Sequence, residues 1–220
     1  NTAGTPATSL TYPATVASGT DTVMAVCVEG EGNGAGGVSV SGITFNAAAL
    51  TFHDEASNAT WSYSEVWRRV APDVVAQNVV VTVDTAATFI SGAYVADGVD
   101  QTTPLRTAAK STGNTDTVSN TVGSVGTDDL VFDSLGIDGT AHAAAVGADQ
   151  TERWDLETEV GGTTGASSTQ AGSAGGVMSW TWTTAKPFSH VATAFIAAAA
   201  GAFQPSLVQQ QSQMFPILAQ

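Results

Sequence analysis

A chain of 220 residues is long enough for one substantial core, and 43% of this one is hydrophobic while only 12% is charged. Six Lys+Arg stand against twenty Asp+Glu, for a formal net charge of −14 at pH 7. A field of that sign repels phosphate backbones and anionic lipid, so neither nucleic acid nor a membrane surface is expected as a partner. The same acidity fits a solvated surface, salt tolerance or cation binding.

The texture is uniform: Thr, Ser, Ala, Gly and Val in short runs, with turn residues every eight to twelve positions. That cadence predicts a sandwich or barrel of short strands. TSLTYPATV is an edge-strand candidate, because Pro13 cannot donate to a ladder. DTVMAVCVE is apolar on both faces and predicts a central strand. Its Cys27 is the single cysteine, so no internal disulfide exists, and it reads as a buried small hydrophobe. VSVSGITFN and AALTFHDE look like a hairpin. SYSEVWRRV alternates, with Tyr63, Glu65, Trp67 and Arg69 on one face and Val66 and Val70 on the other. NVVVTVDT points Val79, Val81 and Val83 inward by the same period. FISGAYVADGVD, DDLVFDSLGID, VMSWTWTT and HVATAFIAA complete the strong candidates, and VMSWTWTT places Met178, Trp180 and Trp182 on one face. No segment carries a convincing helical period, and the alanine clusters AAAV and IAAAA sit at strand spacing. The expected fold is all-β: a single antiparallel, jelly-roll-like sandwich of about ten to thirteen short strands over residues 1–202, then an extended arm over 203–220. No run reaches the length of a membrane span. The start at Asn1 rather than Met leads us to expect a processed or trimmed chain without a signal peptide.

Tests for chemistry come back thin. Gly32, Gly34 and Gly37 form a formal G-x-G-x-x-G, but a strand pattern follows where a dinucleotide site needs a helix N-terminus. AGSAG at 171–175 is a near miss for a nucleophile elbow and also lacks the following helix. His53, His142 and His190 have no second His or Cys at ligand spacing, and each is expected on the surface or in a loop. No catalytic residue and no cofactor is expected, and the chain is not read as an enzyme. Ca²⁺ is the one ion the loops DGVD (97–100), TDD (127–129) and GID (136–138) could take, although none matches an EF-hand. Of five tryptophans, Trp180 and Trp182 read as core, while Trp61 and Trp154 are the candidates for stacking on a sugar ring. Asn58-Ala-Thr60 is a formal N-glycosylation sequon.

Several stretches in order carry a resemblance: LTYPATVASGTDTVMAVCV, SGITFNAAALT, EVWRRVAPDVVAQNVVVTV, GAYVADGVDQTTPL, TDDLVFDSLGID, GADQTERW and MSWTWTTAKPFSHVATAFIAA. Over roughly residues 8–200 the chain resembles a broad group of jelly-roll-like β-sandwich modules of secreted bacterial proteins and tailed-phage structural proteins. The motifs at Ala48–Thr51, Val66–Trp67 and Gly98–Leu105 are structural, and in GVDQTTPL the Asp100 side chain should bond nearby backbone amides with Pro104 closing the loop. The resemblance implies an extracellular or virion-surface building or adhesion module.

The tail FQPSLVQQQSQMFPILAQ has no counterpart in that group. Its eighteen residues carry no charge, and Phe203, Leu207, Val208, Met214, Phe215, Ile217 and Leu218 are apolar. Pro205 and Pro216 oppose a continuous helix. The expected role is an assembly arm that docks on copies of the chain, as a homo-oligomer, or on another capsid or tail protein. Packing onto its own domain and disorder remain the alternatives for the tail. The leading expectation is a non-enzymatic capsid-decoration or tail-associated subunit, and the alternative is an adhesive, carbohydrate-binding or filament-forming module of a bacterial surface.

Overall fold

In a computed structural model the structure describes residues 2–31, 39–59, 61–139, 143–158 and 162–199. They form two antiparallel sheets in a sandwich-like arrangement, with thirteen strands and no α-helix among them. The first sheet holds β1 (Thr2–Thr15), β2 (Val23–Glu31), β3 (Val40–Phe45), β4 (Ala48–Ala49), β5 (Thr51–Asn58), β6 (Ser62–Val70) and β7 (Ala76–Ala96). Its order is β4-β3-β7-β2-β6-β5, with β1 on β7. The second holds β8 (Ala109–Thr121), β9 (Leu130–Asp138), β10 (Ala145–Val146), β11 (Thr151–Glu157), β12 (Thr163–Ala171) and β13 (Val177–Phe195). Its order is β10-β13-β9-β12-β11, with β8 on β13.

The local readings hold in most places. Among the described residues β1 pairs only with β7, which puts Pro13 in an edge strand. β2 lies between β6 and β7 and is buried from Val23 to Gly30. Tyr63 and Trp67 face one core while Val66 and Val70 face another. Met178, Trp180 and Trp182 are buried. Asp100 Oδ1 accepts from the amides of Thr102 at 2.8 Å and Thr103 at 2.7 Å, the expected turn.

Two readings need correction. The segments NVVVTVDT and FISGAYVADGVD are one 21-residue strand, β7, and VMSWTWTT joins HVATAFIAA in the 19-residue β13. Each long strand keeps its inward phase throughout: Val79, Val81 and Val83 share a core with Phe89, Ala93 and Val95. The expected hairpin also divides. β3 pairs with β4 alone, across a turn whose Asn46 and Ala47 take φ of 48° and 60°, whereas Thr51–Asn58 pairs with β6. Only Leu50 separates β4 from β5, so the chain itself joins the two ends of the sheet's hydrogen-bonded path.

The second sheet repeats the connectivity of the first, with β8, β9, β10, β11, β12 and β13 taking the places of β1, β2, β3, β5, β6 and β7. The match extends to detail. Val23 lies opposite Val70 and Ala96, as Leu130 lies opposite Ala171 and Phe195. A register shift falls between Phe52 and Asp54 in β5 and between Glu152 and Trp154 in β11. TVASGTDTV at 15–23 and TVGSVGTDDL at 121–130 are the sequence trace of this repeat. Equivalent faces meet in the shared layer, where Val23, Ala25 and Cys27 of one repeat pack in the same cluster as Leu130, Phe132 and Phe195 of the other. Phe132 stacks on Phe195 at a centroid distance of 4.7 Å, and Tyr94 tilts against Phe132 at 5.2 Å.

Candidate functional site

The structure separates the sequence-based site residues. Phe203, Leu207, Val208, Met214, Phe215, Ile217 and Leu218 lie outside the described residues, as do His142, Thr60 of the sequon and Gly32, Gly34 and Gly37. Trp61, in the β5–β6 turn, is 52% exposed, and its amide donates to Asn58 O at 2.9 Å. Trp154 is half-buried: its ring lies 5.2 Å from that of Tyr94 and covers Gly92, where a Cβ would meet the indole at 2.6 Å. No ring contact joins Trp61 to Trp154 among the described residues. The sequon residue Asn58 donates through Nδ2 to Gly113 O at 2.8 Å.

His190, expected on the surface, is fully buried in β13. The reason is its phase with Phe188, Ala192 and Ala194 on the inner face. Its Nδ1 accepts from Asn120 Nδ2 at 2.9 Å and its Nε2 donates to Asp133 Oδ2 at 3.1 Å. Asp133, also fully buried, accepts further from Trp180 Nε1 at 2.6 Å, the Ser168 amide at 2.6 Å and Ser168 Oγ at 3.0 Å. The serine bonds to the carboxylate rather than to the imidazole, and solvent reaches none of the three. The network therefore organises the wall of the second sheet. AGSAG contributes only a 3₁₀ turn, Gly172–Ala174, which leads into a strand.

Two buried carboxyls were also missed by pattern reading. Glu29 follows Val23, Ala25 and Cys27 on the inter-sheet face, where its Oε1 accepts from Ser134 Oγ at 2.7 Å. Its Oε2 and the Trp154 indole N–H are both buried without a hydrogen bond of good geometry. Burial pushes the Glu29 carboxyl up to about 8, against the opposing pull of the Ser134 hydroxyl. Glu65 is raised to about 7, again by burial, while Trp67 Nε1 donates to its Oε2 at 2.7 Å.

Among the described residues no group of three His, Cys, Asp or Glu could hold a metal ion. Asp97 Oδ1 accepts from Thr22 Oγ1 at 2.6 Å, and Asp100 serves the turn described above. Asp129 Oδ2 accepts from Arg106 Nε at 2.9 Å and Gly126 N at 2.8 Å, and its Oδ1 accepts from Ala197 N at 3.1 Å. With these oxygens taken by internal donors, EDTA is expected to leave the melting temperature unchanged in a thermal scan. A drop on chelation that added Ca²⁺ reverses would revive the calcium reading.

Arg106, held by Asp129, lines an open surface groove of about 430 Å³. Leu105, Ala108, Ala109, Thr121, Gly123 and Ile196 line it, where the segment joining the two repeats meets the ends of β8 and the residue after β13. Arg106 is the charged residue of the lining, and its guanidinium is committed to Asp129 at 2.8 Å. Comparison with family models, with curated proteins and with solved structures finds no match for this chain.

Proposed function

We propose that the chain is a non-enzymatic structural assembly subunit whose segment 203–220 fastens it to neighbouring copies or to another structural protein. The observation that carries this reading is the distribution of charge. The last charged residue is Lys186, and the terminal segment is uncharged while the rest of the chain holds a net −14. Four large apolar side chains, Met214, Phe215, Ile217 and Leu218, would each contribute roughly 1.5–3 kcal/mol on burial, before ordering costs. Glutamines along the path can bond a partner's backbone without the desolvation cost of charges. The doubly repeated sandwich suits building material, and its resemblance to tailed-phage and secreted modules favours a capsid-decoration or tail-associated role on a virion surface.

Deleting residues 203–220 should leave a folded monomer and abolish assembly, as read by light scattering and electron microscopy of full-length and truncated protein. Unchanged particle mass after the deletion would count against the reading. The exposure of Trp61 favours a second one, an extracellular glycan-binding module. On that reading Trp61→Ala should lower binding on a glycan array at least tenfold, because stacking on one exposed ring carries much of the affinity in shallow sugar sites. Equal binding by wild type and variant would remove it.

A further inference from the structure

We infer that the groove between the inter-repeat segment and the mouth of the second sheet receives the C-terminal segment of a second copy of this chain. The inference rests on the assembly reading above and names the surface that reading requires. Chemistry matches first. On a surface of net −14 the groove is a neutral spot, lined by Leu105, Ala108, Ala109 and Ile196, with its one guanidinium neutralised by Asp129. An uncharged segment can enter it without stripping water from an unpaired charge on either side. The hydroxyls of Thr107, Thr121 and Ser124, also in the lining, are partners for glutamine amides. Size matches next. A volume of about 430 Å³ takes a few large side chains rather than a whole arm, which suits the compact apolar group Met214–Leu218.

Position supplies the third argument. The chain contributes Ile196 to the groove and leaves the described region at residue 199, so exit and receptor lie side by side. Two copies that meet across a two-fold axis on this face can exchange segments reciprocally, each root beside the other's receptor. Pro205 and Pro216 favour extended backbone. An extended segment carries Met214–Leu218 away from its own root, up to about 50 Å from residue 203, and so towards a neighbour.

The test uses the full chain, the deletion of 203–220, and two groove variants. A Cβ at Gly123 meets nothing within 4 Å, so Gly123→Trp fills the groove without disturbing the wall, and Thr121→Lys places a charge in it. Light scattering should show an oligomer for the full chain and monomers for the deletion and both groove variants, at unchanged melting temperature. A synthetic peptide of residues 203–220 should bind the truncated protein in fluorescence anisotropy, and at least tenfold more weakly when Gly123→Trp is present. If the deletion dissociates the oligomer but both groove variants stay assembled and still bind peptide, the arm docks elsewhere; the inference falls and the assembly reading stands. If the deletion leaves the mass unchanged, both fall. Oxidation of a Thr107→Cys, Phe215→Cys double variant should give a covalent dimer. A bond closed within one chain would overturn the second copy as occupant.

Discussion

Asp133→Ala is expected to remove roughly 4–6 kcal/mol of stability, much of what a domain of this kind possesses. The carboxylate is fully buried and has four donors; the Ser168 hydroxyl can rotate away, but Trp180 Nε1, His190 Nε2 and the Ser168 amide are fixed in place. Truncation strands all three in a core that water does not reach, at about 1–3 kcal/mol each. Asp133→Asn keeps one acceptor oxygen and should cost about half as much. The surface pair Lys110–Asp54 is the control. Its 2.6 Å contact matches the shortest bonds to the Asp133 carboxylate, yet the lysine side chain is 48% exposed. Lys110→Ala should therefore cost under about 1 kcal/mol. Guanidinium unfolding of the three variants gives the comparison. An Asp133→Ala loss no larger than that of Lys110→Ala would show that the network relaxes and carries little of the fold.

The same network explains which parts of the fold could be read in advance. Strands whose faces differ in polarity, such as SYSEVWRRV and VMSWTWTT, declared themselves by a period of two. β12, TTGASSTQA, did not, because it is nearly all small and polar and yet buried from Thr163 to Gln170. Most of its hydroxyls are bonded inside the sheet, the buried Thr163 Oγ1 excepted. Ser168 bonds Asp133, Thr169 Oγ1 accepts from Arg153 Nε at 2.7 Å, and Ser167 meets Tyr94. Hydropathy cannot anticipate such pairing, since each partner looks exposed until the other is in place. β8 is polar for a different reason: it is mostly exposed, and only Val118 and Asn120 are buried, too few to show a period. Glu29, Asp133 and His190 did carry a usable signal, their phase with inward neighbours, which charge and polarity overrode. The internal repeat was legible too, in TVASGTDTV and TVGSVGTDDL, but the extra residue Val125 interrupts the alignment.

The candidate site was less accessible to sequence. Its groove draws on residues 103–109, 121–124 and 196, three segments that only the repeat topology brings together. What the sequence supplied was the other half of the contact, the uncharged apolar tail.

Glu29 yields the second large effect, a stability that falls as pH rises through neutrality. Its folded carboxyl is raised to about 8 because burial disfavours the anion, whereas the unfolded chain ionises it near the ordinary value of 4.5. Between those limits the folded state binds more protons than the unfolded one, so the free energy of unfolding declines with pH. The contribution is complete below about pH 4.5 and lost as pH passes about 8, on the order of 5 kcal/mol at most, from 1.36 kcal/mol per unit. Glu65, raised to about 7, and Asp155, raised to about 6, act in the same direction. His53 opposes them at the acid end. Burial lowers it, so its contribution is lost as pH falls through its folded value. Wild-type protein should therefore be most stable in mildly acidic buffer and clearly weaker at pH 9. Glu29→Gln keeps the shape and an acceptor for Ser134 but cannot ionise, so its guanidinium midpoint should exceed the wild-type value at pH 9 and depend less on pH. The amide must then share the space beside the Trp154 indole, an exchange of one neutral group for another, whereas the wild-type carboxylate at high pH places a full negative charge between two sheets near Asp133. Parallel pH profiles for wild type and Glu29→Gln would mean that water or a shift of Trp154 relieves that charge, and that the inter-sheet layer opens locally rather than resisting ionisation.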